Sequence, residues 1–150
     1  MRARRSITFA VTAAAVSLLT QFGGPAIARA AEGSPRTRAL HVTKECSQYT
    51  GAAGSYCTIT SSNVPEIRVG MKVVYEQAAT ADFALDSRIV VAFAHGSAAH
   101  GHVVLEPGGS TGTVTIHGGT GNFHRFRAHA LVTCSDDVHC AWNGTYTFGS

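Results

Sequence analysis

The 150-residue chain has almost no helical periodicity, no Cys-x-x-Cys pair, no Gly-Lys-Ser/Thr after its glycine runs and no second long apolar stretch. Each absence removes a class of protein. Without apolar residues recurring at i, i+3 and i+4, a helical bundle has nothing to bury. Without paired Cys-x-x-Cys spacing, a structural zinc site loses its usual ligand set. A phosphate loop needs a strand, glycines and then a helix whose N-terminus faces the anion, and no such order occurs. The one long apolar run, Ile7 to Leu19, is too short to cross a bilayer as a helix.

That run follows Arg2, Arg4 and Arg5 and precedes Ala28-Arg29-Ala30, a small-x-small sequence of the kind signal peptidases cut. Residues 1–30 therefore read as a signal peptide removed near Ala30, which predicts a secreted protein. Positive charge is lacking too. Four of the 12 basic residues lie in the leader and all 9 acidic ones lie outside it, so the remaining chain carries a net charge of −1 with His neutral. A nucleic-acid or anionic-membrane partner thereby loses its main support, and neither is expected. Residues 31–39 read as a disordered lead-in and 40–150 as one domain, large enough for its own core.

What the sequence does contain is short runs rich in Val, Ile, Thr, Tyr and Phe, separated by Gly, Ser, Asp and Pro. Strands are expected at 57–60, 68–77, 87–95, 100–106, 112–118, 123–134 and 140–148, with 40–44 as a candidate eighth. Seven or eight antiparallel strands with tight connections predict an all-β fold, a closed barrel or a sandwich. Period-two alternation tests the pairing. A turn between Gly109 and Ser110 sets Val103 opposite Ile116 and Leu105 opposite Val114. A turn about Thr120 sets Val114 opposite Phe126. A turn about Asp137 sets Val132 opposite Trp142, Ala130 opposite Gly144, Ala128 opposite Tyr146 and Phe126 opposite Phe148. One face is then apolar across four strands, while His102, Thr113, Thr115, His117, Arg125, Arg127 and His129 share the wet one.

The four cysteines follow the leader, and an exported chain reads them as disulfides. They allow three connectivities, of which Cys46–Cys57 with Cys134–Cys140 is the simplest; zinc held by Cys140 with the adjacent His139 is the rival. Gly118, Gly119 and Gly121 read as positive-φ residues of a tight hairpin bend. Ser110 matches a Gly-x-Ser-x-Gly pattern, but between strands it is a turn residue. His100 and His102 share a face, and His102 with His117 and the nearby His95 has the makings of a metal site, yet His102 and His117 lie on the wet face and read as exposed barrel histidines. No metal and no cofactor are expected.

Several features together resemble the allene oxide cyclase barrel-like proteins and their dirigent relatives. They are Gly118-Gly119-Thr120-Gly121-Asn122-Phe123 between two strands, Gly101-His102 opening the preceding one, Val69-Gly70 ahead of 71–77, and the closing 142–148. The start at 46–65 is similar to secreted bacterial members. The resemblance implies an eight-stranded antiparallel closed β-barrel, calycin-like, with an apolar interior and often a trimeric assembly. It implies a cofactor-free cyclase or isomerase that acts by confining a reactive lipophile. The plant cyclases' glutamate, asparagine and pocket cysteine do not map onto identifiable positions of this chain, whose cysteines read as disulfides.

On the dry face, Tyr75, Gln77, His124, Trp142 and Tyr146 have polar ends. As plain core they would place those tips at the barrel ends. As a site, Tyr75, Tyr146, His124 and Gln77 are the candidates to polarise a ligand's oxygen, with Val73, Phe93, Ile116, Phe126, Trp142 and Phe148 as apolar lining. Glu76 falls on the opposite face. The expected partner is an apolar small molecule. A lipocalin-like binding module and an extracellular interaction protein with a filled core are the rival readings.

Overall fold

The computed structural model describes residues 34–149; the expected signal peptide lies outside them. Eight strands, β1 (Arg38–Glu45), β2 (Tyr56–Ser62), β3 (Lys72–Tyr75), β4 (Leu85–Ala92), β5 (Ala98–Leu105), β6 (Thr111–Gly119), β7 (Phe126–Cys134) and β8 (His139–Phe148), pair antiparallel in sequence order. The sheet closes where β1 pairs with β8, from Arg38 opposite Tyr146 to Glu45 opposite His139. Closure leaves no unpaired edge, and the strand expected at 40–44 is the one that provides it. It also starts earlier than expected, since Arg38 and Ala39 already belong to the ladder rather than to a lead-in.

Alternation decides what fills the lumen. Leu40, Val42, Ile59, Val73, Ile89, Val91, Val103, Val114, Ile116, Phe126, Val132 and Trp142 are buried inside, while Arg125, Arg127 and His129 are exposed. The β7–β8 register is as the sequence predicts, from Phe126 opposite Phe148 to Cys134 opposite Cys140. Two other registers are corrected. Val103 lies opposite Val114 and Leu105 opposite Gly112, a slip of two residues. Val114 lies opposite Ala130 rather than Phe126, a slip of four. Both slips are even, so every side chain keeps its face. His102 thereby lies opposite Thr115 rather than beside His117, and its Nε2 pairs instead with Asp86 at 2.7 Å.

The glycine bend between β6 and β7 is longer than a tight hairpin. A bulge leaves His117 unpaired, and residues Gly121–Phe123 form a turn of 3₁₀ helix. Gly118 and Gly121 have positive φ (135° and 53°), as expected for two of the three glycines. Gly119 is needed for a different reason: a Cβ there would lie 2.0 Å from the Ala98 carbonyl oxygen. The turn brings Phe123 and Phe126 both inward although they are three residues apart, and their rings pack edge to face at 5.6 Å.

The connections β1–β2, β3–β4, β5–β6 and β7–β8 lie at one end of the barrel, here the upper end. The others lie at the lower end, which Phe123, Phe126, Tyr146 and Phe148 fill with mutual ring contacts of 5.3–6.1 Å. Both disulfides, Cys46–Cys57 and Cys134–Cys140, brace the upper end. The second closes the mouth of the β7–β8 hairpin. Replacing Cys134 and Cys140 together by Ala should lower unfolding free energy by about 2–3 kcal/mol through added denatured-state entropy, with the barrel's circular dichroism unchanged. Denaturant titration against wild type checks this, and an unchanged midpoint would remove the bridge from the stability argument.

Candidate functional site

A cavity of about 470 Å³ opens at the upper end. Its walls come from all four upper connections: Tyr49, Thr50 and Gly51 from β1–β2, Phe83 from β3–β4, Gly108, Gly109 and Ser110 from β5–β6, and Ser135, Asp136 and Asp137 from β7–β8. Lys44, Tyr75 and the sulfurs of Cys46, Cys57 and Cys140 lie below them in the lumen.

Lys44 follows from the alternation of β1. Leu40, Val42 and Lys44 share the inward face, and Cys46 continues it. The backbone beside Lys44 is fixed on both sides, opposite Ile59 in β2 and Cys140 in β8. A β2 bulge at this level leaves Thr60 unpaired and keeps Ile59 and Lys44 both inward. With only 4% of its surface exposed, Lys44 is a lysine inside the barrel.

Its ammonium partners are neutral. Nζ donates to the Tyr75 hydroxyl oxygen at 2.7 Å and lies 3.7 Å and 3.6 Å from the sulfurs of Cys46 and Cys57. It lies 5.5 Å from the ring centre of Tyr75 and 5.7 Å from that of Trp142. The aromatic faces attract a cation, but weakly beside the loss of hydration. Among the described residues the ion pairs are Arg88–Glu76, His102–Asp86 and His139–Asp136, none of which involves Lys44. Burial without a counter-charge lowers the Lys44 pKa to about 7. Burial acts oppositely on the Tyr75 phenol, raising its pKa far above the ordinary range, so it stays protonated. Its O–H donates to Cys57 Sγ at 3.4 Å.

Tyr75 is held from behind. The β1–β2 loop brackets its backbone, with Gly54 N–H donating to the Tyr75 carbonyl and Tyr75 N–H to that of Ser55. The Tyr49 ring packs on it at 4.8 Å. The Tyr49 hydroxyl and the Trp142 indole N–H are buried with no hydrogen-bond partner among the described residues. At the rim, Asp136 accepts hydrogen bonds from the His139 ring and from the His139 and Val138 amides, which hold its pKa down to about 2.

Of the residues proposed from sequence, Tyr75 alone among the four polar candidates lines this cavity. Tyr146 is buried in the lower aromatic cluster. His124 is exposed, a correction to its dry-face assignment: it ends the 3₁₀ turn with helical dihedrals, so strand parity does not reach it. Gln77 lies beyond the end of β3, where its Oε1 accepts from the Arg88 amide and its own N–H donates to Ser87 Oγ. Val73, Ile116, Phe126 and Trp142 are core, Phe148 packs against them, and Phe93 lines a smaller cleft of about 270 Å³ at the lower end. Lys44 was missed because 40–44 reads only as an optional strand; its place in the Leu40-Val42-Lys44 alternation was the available signal.

A search of solved structures finds the pterocarpan synthase dirigent protein GePTS1, which superposes with a TM-score of 0.53 over 87% of this chain and 99% of that one, at 14% identity. The chain has the dirigent-like barrel fold. No protein-family model and no curated protein matches the sequence. The chemistry open to this dirigent-like barrel is set by its own residues, chief among them the lumenal amine of Lys44.

That amine makes stability depend on pH in a defined sense. Its folded pKa is lowered below the unfolded value, so the native state binds fewer protons between about 7 and 10.5. Unfolding free energy should rise from pH 7 towards pH 10, by about a few kcal/mol at most, until the raised phenol pKa of Tyr75 reverses the slope above about 10. Lys44→Met should flatten the rise and be the more stable protein at neutral pH. Chemical denaturation of both proteins across this range tests it; parallel profiles would show that Lys44 is not desolvated.

Proposed function

We propose that this dirigent-like barrel is a secreted module that binds a small apolar molecule carrying one oxygen function. The cavity is its binding site, and the Lys44–Tyr75 pair takes the oxygen. The observation that carries this reading is a cavity of drug-like size whose floor holds a buried amine and a buried phenol without any carboxylate. Such a floor suits a neutral ligand with one polar end and disfavours a fully apolar one, which would leave both groups unmatched. The oxidised cysteine pairs fit an extracellular setting, in keeping with removal of residues 1–30. The filled-core alternative fits only the lower half.

A second reading, cofactor-free cyclisation or isomerisation, is favoured by one feature. An amine close to half-protonated at neutral pH beside a protonated phenol is an acid–base couple matched to proton transfer on a confined substrate. If turnover is found, Tyr75→Phe should leave affinity within about threefold and lower kcat by about a hundredfold. Equal losses in both would leave only binding.

The binding reading is tested with N-phenyl-1-naphthylamine, an apolar dye that brightens out of water. Wild type should bind it saturably at one site. Ser135→Trp, at an exposed rim position, should weaken binding at least about tenfold by blocking the mouth without touching the core. Unsaturable binding, or equal binding to both proteins, would refute the cavity as the site.

A further inference from the structure

The floor of the cavity supports a more specific assignment, which rests on the binding reading above and deepens it. We propose that Lys44 is a carbonyl-capturing residue, whose Nζ forms a reversible imine with the aldehyde or ketone group of an apolar ligand held in the upper cavity, with Tyr75 as its proton donor. Three observations converge on it.

The first is position. A molecule that fills the cavity meets Lys44 and Tyr75 at its inner end, and these two groups touch each other at 2.7 Å. A carbonyl directed there has an amine for its carbon and a phenol for its oxygen. The second is the absence of a competing anion. The charged groups that share the cavity are Asp136 and Asp137 at the rim, and Asp136 is paired with His139 rather than Lys44. Lys44 faces aromatic rings and disulfide sulfur instead. Desolvation without a carboxylate is the arrangement that frees a lysine's lone pair at neutral pH, and the pKa of about 7 agrees with it. The third is that a structural purpose for the charge is hard to find. Its neighbours on the same inward face of β1, Leu40 and Val42, show that apolar side chains satisfy this row.

The step balances without an oxidant or reductant. The Nζ lone pair adds to the carbonyl carbon and the C=O π pair moves to oxygen, which takes a proton from the Tyr75 hydroxyl. The added nitrogen then loses a proton, which returns to the phenolate, giving a neutral carbinolamine. Tyr75 protonates the departing hydroxyl, water leaves as the C=N bond forms, and the nitrogen's second proton restores the phenol. One carbonyl compound and one amine give one imine and one water.

The chain has a built-in control, because its one other lysine, Lys72, is exposed on the outer face of β3 with Nζ 4.1 Å from the Tyr56 ring centre. The experiment incubates the folded protein with cinnamaldehyde and sodium cyanoborohydride at pH 7, then maps the reduced adducts by peptide mass spectrometry. Lys44 should be labelled at least about tenfold faster than Lys72, since an ordinary solvated lysine is neutral only about once in a thousand at this pH. Lys44→Met should abolish the major adduct while leaving the fold signal intact, and Tyr75→Phe should keep the amine but slow labelling severalfold. Lys72→Arg should change nothing at Lys44. Labelling confined to Lys72 or to the terminal amine would overturn the assignment. So would displacement of N-phenyl-1-naphthylamine by cinnamaldehyde with no trapped adduct, which would leave the binding reading standing. Failure of both displacement and trapping would remove the two together.

Discussion

The β1–β8 ladder is the constraint on which the rest depends. Eight consecutive pairs, Arg38 opposite Tyr146 through Glu45 opposite His139, turn a curled sheet into a barrel and fix which side chains of β1 point into it. Were β1 to slip by one residue, Lys44 would face water and Thr43 and Glu45 would replace it inside. Closure thus selects the lumenal amine. Gly144 helps β8 make this pairing: a Cβ there would lie 2.1 Å from the His129 carbonyl, so the close approach of β7 and β8 opposite Ala130 requires glycine.

Inside the closed barrel the two ends are built differently. The lower end is packed by the Phe123, Phe126, Tyr146 and Phe148 rings, and Phe123 joins them only because a 3₁₀ turn replaces the expected strand start. At the upper end the Tyr49 and Tyr75 rings leave a cavity open beneath the loops, and covalent bonds brace it. Cys46–Cys57 ties β1 to β2 beside Lys44, Cys134–Cys140 ties β7 to β8, and the Cys46 amide reaches the Val138 carbonyl at 2.7 Å to join the two. A region that keeps a cavity forgoes the dispersion contacts that a filled core would supply. Cross-links are a means of holding it that needs no side chain in the space itself.

The sequence shows the fold more clearly than it shows the site, and for a physical reason. Parity is robust: the register errors at β5–β6 and β6–β7 were of two and four residues, so Phe126 and Val132 stayed inside and Arg125 and Arg127 outside. The β7–β8 register was legible residue by residue because a short turn and the cysteine pair beside it both pin its upper end. Parity fails where the chain leaves the strand conformation, which is why His124, at the end of the 3₁₀ turn, was misplaced. The site was harder to read because it depends on which end of the lumen is left open. That is set by loop lengths and by the inward Phe123, neither of which period-two patterning encodes. Tyr75 was found as a polar residue on an apolar face. Lys44 obeyed the same rule, but charge is normally read as a sign of exposure.

An apolar lumen acts differently on the two kinds of ionisable group. A carboxylic acid placed at position 44 would keep its proton and become a neutral hydrogen-bond donor. A lysine instead sheds its proton and becomes a base and a nucleophile. The same desolvation keeps the Tyr75 phenol protonated, so a single environment yields a neutral acceptor of protons and a neutral donor of them in contact. Adding a carboxylate beside Lys44 would stabilise the ammonium and end this pairing of roles, even as it relieved the cost of burial. The arrangement at the upper end is therefore one in which stability and reactivity pull against each other at one residue. The covalent bracing around that residue is what a small barrel needs in order to tolerate it.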